Sequence, residues 1–122
     1  MAGNNIKVPS TVGNCEVWTG GTSVNAADIL YTTGDMTRFD TFTFVATAGV
    51  LAVFASLDNV NYEAVALQDL SAASVGATYV ATLASGHIGL LQGNFVSIQV
   101  QQSGAAATAN AVMLCSKKGG QF

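Results

Sequence analysis

The chain has 122 residues, enough for one domain with a closed hydrophobic core and too few for two comfortable ones. Half of its residues are hydrophobic but only 9% are charged, against about 25% in a usual soluble domain, and the net charge is −3. That balance excludes a basic nucleic-acid binder, an intrinsically disordered chain and most acid–base enzymes.

Residues 1–13 are small and polar with a single proline, Pro9, and read as an extended N-terminal arm. They hold no apolar run of the secretory kind, so no signal peptide is expected. Residues 14–122 read as one β-sandwich domain with a short C-terminal tail. Glu16 to Thr19 alternates weakly and is expected to end at Gly20-Gly21. Ile29 to Thr32 is a second short strand closed by Gly34-Asp35. Arg38 to Thr47 carries the strongest strand signal, with Phe42, Phe44 and Ala46 on one face and Thr41, Thr43 and Thr47 on the other.

Ala48-Gly49 predicts a turn, after which Val50 to Leu57 alternates with no charge on either face, as in a strand covered on both sides. The apolar stretch from Thr41 to Leu57 is broken by threonines and glycine and is shorter than the 18 or so residues of a membrane helix. Asp58-Asn59-Val60-Asn61 is a turn by composition, and Tyr62 to Leu67 returns as a hairpin partner. Ser71 to Ala84 is ambiguous, with Ala77 to Leu83 favouring a strand. Gly86, Gly89 and Gly93 mark a looping connection. Phe95 to Gln101 and Thr108 to Ser116 alternate again and are expected to close the domain as a hairpin, leaving Lys117 to Phe122 as a tail. Seven to eight short strands with no amphipathic helix predict an all-β, antiparallel, jelly-roll-like sandwich.

Chemistry is sparse. From Leu70 to Ser116 there is no Asp, Glu, Lys or Arg, and His87 is the one candidate base. It stands in Ser85-Gly86-His87-Ile88-Gly89 without a nearby carboxylate in sequence, so it reads as a loop histidine and not as part of a triad. Asp58 with Glu63, and Asp35 with Asp40, read as solvated turn residues and not as a catalytic pair. The run from Asp58 lacks the glycine and the twelfth-position acid of a calcium loop. Cys15 and Cys115 lie near opposite ends of the chain and are expected as two thiols, a bridge being the alternative. No catalytic residue, cofactor or metal is expected.

A surface so poor in charge suits permanent protein–protein contact, where charged residues are depleted. The uncharged segment from residue 70 to 116 is the expected place for it.

The stretch Ile29 to Phe44, the run Ser56-Leu57-Asp58-Asn59-Val60-Asn61-Tyr62 and the pair Gly93 to Val100 with Ala111 to Leu114 carry a resemblance. Over roughly residues 28–116 the pattern resembles the jelly-roll-like β-sandwich structural proteins of tailed-bacteriophage virions. Where such turns carry glycine this chain has Asn59, a residue that tolerates left-handed backbone. The resemblance implies a capsid decoration (cement) protein that binds the major capsid protein on the outer shell and associates with itself, trimers included. It implies a virion location after assembly in the host cytoplasm, with no nucleic acid or membrane as partner. Similar sandwiches serve as carbohydrate-binding or receptor-binding modules of tails and spikes, with Trp18 and a tyrosine as stacking platforms. The expected contact residues are Ile6, Val8 and Pro9 of the arm, Trp18, then His87, Leu90 and Leu91 of the glycine-rich loop, and Phe122 of the tail.

Overall fold

The computed structural model describes residues 10–12, 15–23, 28–71, 78–103 and 108–117. Eleven strands form among them: β1 (Ser10–Val12), β2 (Cys15–Ser23), β3 (Ile29–Thr32), β4 (Thr41–Ala48), β5 (Leu51–Ser56), β6 (Glu63–Val65), β7 (Leu67–Asp69), β8 (Thr78–Val80), β9 (Ile88–Gln92), β10 (Ser97–Gln102) and β11 (Thr108–Ser116). They build a seven-stranded sheet, β1-β2-β11-β4-β9-β7-β8, and a four-stranded sheet, β3-β10-β5-β6. Every strand pairing is antiparallel. The chain changes sheet repeatedly, between β2 and β3, β3 and β4, β4 and β5, β6 and β7, β9 and β10, and β10 and β11. The result is a jelly-roll-like sandwich.

Alternation decides which side chains fill the space between the sheets. The large sheet turns inward Trp18, Phe42, Phe44, Ala46, Leu91, Ala111, Met113 and Cys115, and the small sheet answers with Tyr31, Leu51, Val53, Ile98 and Val100. Trp18 and Tyr31 stack across the gap with ring centroids 5.9 Å apart. Buried polar groups at the junction of β3 and β10 are bonded: Ser97 Oγ donates to the Thr33 carbonyl at 2.9 Å, and Ile98 N donates to Thr33 Oγ1 at 2.9 Å.

Several expectations are corrected. The described residues form eleven strands, where seven to eight were expected. Ser10–Val12, placed in the arm, forms an edge strand against β2, while residues 1–9 lie outside the described residues. β2 does not stop at Gly20-Gly21 but runs on to Ser23. The reason is spatial: a Cβ at Gly20 would stand 2.5 Å from Cδ2 of Tyr31, so that glycine admits a ring and does not break a strand. The glycine-rich connection from Gly86 to Gly93 contains β9, a central strand, because Gly89 passes close to Leu67 and Leu83. β10 and β11 are not a hairpin: β10 pairs with β3 and β5, and β11 with β2 and β4. Each has an apolar face suited to one wall of the core, and alternation alone does not name a partner.

Cys115 is buried on the inner face of β11, and Cys15 precedes the inward pair Glu16 and Trp18 and so projects to the opposite side; both are free thiols. Burial, with a smaller contribution from Glu16, pushes the Cys115 thiol up to about 12.

Candidate contact face

The outer face of the seven-stranded sheet follows from the same alternation. Strand registers place Val17, Leu114, Thr43, Leu90, Gln68 and Tyr79 in one row across β2, β11, β4, β9, β7 and β8. A second row holds Thr19, Val112, Val45 and Ile88. Six strands at about 4.8 Å spacing make the first row roughly 24 Å wide. Neither row contains an acid or a base. Leu114, Ile88 and Tyr79 are 37%, 44% and 64% exposed, and Leu70, also exposed, joins them where its N–H donates to the Ile88 carbonyl. Thr43, Val45, Ile88, Val112 and Leu114 enclose a shallow apolar depression of about 200 Å³.

β9 and β11 therefore carry apolar side chains on both faces, the pattern of strands covered on both sides, while β4 sets Val45 among the uncharged Thr41, Thr43 and Thr47 on its outer face. Among the described residues only one side of these strands is covered.

The expected contact residues fall in different places. Leu90 lies on the face, in the first row. Leu91 points the other way into the core, and so does Trp18, which is 8% exposed and stacked on Tyr31. Its indole N–H donates to Glu16 Oε1, and Glu16 in turn pairs with Arg38. Trp18 is thus a core residue and offers no ring face to a partner or a sugar. Ile6, Val8, Pro9 and Phe122 lie outside the described residues. Val45, Ile88, Val112, Leu114 and Tyr79 were not singled out from sequence. The signal for two of them was present, since Val112 and Leu114 interleave with the buried Met113 and Cys115, so that both faces of β11 are apolar. The uncharged stretch 70–116 is not one surface either: β9 and β11 serve the large sheet and β10 the small one.

His87 finds in space the carboxylate it lacks in sequence. Its Nδ1 lies 2.8 Å from Oδ2 of Asp69, a residue that is 7% exposed. Asp69 also accepts the Ser71 N–H at 3.0 Å, and Ser71 Oγ accepts the Ile88 N–H at 3.0 Å. The His87 contact first, then the Ser71 bond, hold the Asp69 carboxyl below its ordinary range. Among the described residues no hydroxyl or thiol bonds the other nitrogen of His87, so the cluster ties the entry of β9 to the end of β7.

The turn after β5 is built on Asp58. Its Oδ1 accepts the N–H groups of Val60 and Asn61 at 2.9 and 2.8 Å and the Ser56 hydroxyl at 3.0 Å, while Oδ2 accepts Asn61 Nδ2 at 2.7 Å. These bonds, the Asn61 and Val60 amides first, hold its carboxyl well below the usual range. Asn59 takes the left-handed backbone expected of it, with φ 63°. Among the described residues no group of three or more His, Cys, Asp or Glu is placed to hold a metal.

No family model matches the chain, and no curated protein matches it in sequence. Its fold is similar to that of the SPBc2 prophage-derived protein YomS, with a TM-score of 0.68 at 8% identity, covering 89% of this chain and 98% of the other. Solved cupins are also similar at lower scores. A cupin superfamily protein of Desulfitobacterium hafniense gives 0.47 at 4% identity, over 88% of this chain and 72% of that one. The Cnp3 cupin domain of Schizosaccharomyces pombe gives 0.47 at 8% identity, over 93% and 65%. The similarity to the prophage-derived protein covers most of the chain and establishes the fold.

Proposed function

We propose that this chain is a structural protein of a tailed-bacteriophage virion, of the capsid decoration kind. It would bind the major capsid protein and neighbouring copies of itself through the outer face of the seven-stranded sheet. The observation that carries the reading is that face: two rows of neutral and apolar side chains across the sheet, with no charge. Apolar area of this extent on a chain so poor in charge is stabilised by burial, at about 25 cal/mol per Å² removed from water. A protein that binds only the assembled shell stabilises it by mass action. The shared fold of a prophage-derived protein supports the same context. The role is a non-catalytic one, with no nucleic acid or membrane as partner. The glycan-binding alternative relied on Trp18, whose burial weighs against it.

The test is made on the particle. The chain should co-purify with intact virions, be located by labelled antibody on the shell, and raise the temperature at which the shell releases its genome. Its location on the tail alone, or its absence from purified particles, would overturn the proposal.

A further inference from the structure

A second site lies on the other sheet, at the edge strand β6. This strand ends the four-stranded sheet and pairs only with β5 among the described residues, so its far side is open to another strand. The inward row of the small sheet runs Ile98, Ala55, Glu63, which puts a carboxylate at a core-facing register position on the edge itself. Beside it opens a pocket of about 370 Å³ whose apolar wall is Ala55, Leu57, Val65 and Phe95, with Asp58 and Glu63 also lining it. Phe95 is held there by Phe42, 6.2 Å away between ring centroids. The space is at the small end of the range for ligand pockets and suits one or two side chains.

The two carboxylates have no cation within ion-pair distance among the described residues, where the salt bridges are Arg38 with Glu16 and His87 with Asp69. Asp58 keeps its charge through its backbone bonds, and Glu63 is exposed. An inward charge on an edge strand deters indiscriminate pairing. It also selects: a segment bringing its own cation is accepted and an apolar or acidic one is not.

We propose that β6 and this pocket form a docking site for an extended segment of a partner protein, one carrying an apolar side chain flanked by lysine or arginine. The segment adds to β6 as a strand, sets its apolar side chain in the pocket and its cations against Asp58 and Glu63. A partner fits better than a second copy, because this chain has four bases in all against seven acids and one of the four, Arg38, is engaged by Glu16. The site is separate from the proposed capsid-facing surface, so each stands or falls alone.

The full chain, labelled with ¹⁵N, is titrated with the peptide acetyl-Lys-Thr-Leu-Thr-Lys-amide, whose lysines and leucine share one face of a strand. Control peptides carry Glu in place of both lysines or Ser in place of leucine. Shifts are expected at Glu63 to Val65, with the lysine peptide binding about tenfold more tightly than either control at low salt. Glu63→Lys should abolish binding, and the milder Glu63→Gln, which keeps the test intact if the reversal fails to fold, should weaken it about threefold. Equal affinity for the three peptides, or no effect of the Glu63 variants, would overturn the site. Self-association of the free protein that Glu63→Lys removes would instead identify a second copy as the occupant and overturn the choice of partner.

Discussion

Gly20 is where the core leaves least room. The Tyr31 ring lies over it, stacked in turn on Trp18 and reaching the Ala111 carbonyl with its hydroxyl at 3.4 Å. Burial drives the Tyr31 phenol far above its ordinary range, so it stays a neutral donor. A methyl group at position 20 must displace this ring or bend β2. Gly20→Ala should therefore destabilise the fold by about 1–3 kcal/mol, the usual cost of overpacking. Gly34→Ala is the matched control, since nothing lies within 4 Å of a Cβ there, and it should stay within about 0.5 kcal/mol of the parent. Urea unfolding measures both. Equal effects at the two positions would show that the Tyr31 contact does not limit position 20.

At the scale of elements, two acid-anchored links hold parts of the sandwich together: Asp58 closes the turn between β5 and β6, and Asp69 with His87 ties β7 to β9. Both carboxyls are held below their ordinary range in the folded protein. Each therefore contributes stability that is fully present above the unfolded value of about 4 and is lost as pH falls below it toward the native values. Urea midpoints should be steady from pH 7 to 5 and decline below about pH 4. In Asp58→Asn that decline should be shallower, because one of the titrating links is gone. An unchanged slope would remove Asp58 from the account of acid stability.

How far elements were legible depended on what glycine and alternation encode. β3 and β11 have the bounds that their alternation predicts, and Phe42, Phe44 and Ala46 face the core as expected. β9 was hidden because its glycine resembles a loop residue, whereas Gly89 is there for clearance from Leu67 and Leu83. The partners of β10 were hidden because strand pairing in this fold joins segments far apart in the chain, which local pattern does not encode. The contact face was half legible. Thr43 and Leu90 were visible as outward or contact residues. Val45, Ile88, Val112 and Leu114 come together only when β4, β9 and β11 are laid side by side.

Over the whole molecule, the scarcity of charge becomes a matter of place. The charged groups that the structure describes lie in loops, at strand ends or in local pairs, such as Glu16 with Arg38 and Asp69 with His87. They leave the broad outer face of the large sheet neutral. The small sheet carries the acidic edge at Glu63 and Asp58. One molecule thus presents a neutral face and an acidic apolar pocket on different sheets.

If the chain acts as proposed, its neutral face is covered in the assembled particle. The most direct measurement is incorporation of the double variant Ile88→Lys, Leu114→Lys into virions, read beside its melting temperature. Both positions are exposed in the isolated chain, so stability should change by no more than about 0.5 kcal/mol per site. On a covered face the two unpaired ammonium groups lose their water, at a cost of several kcal/mol, and the variant should be missing from purified particles. A variant that folds as the parent does and is incorporated at the parent's level would contradict the account.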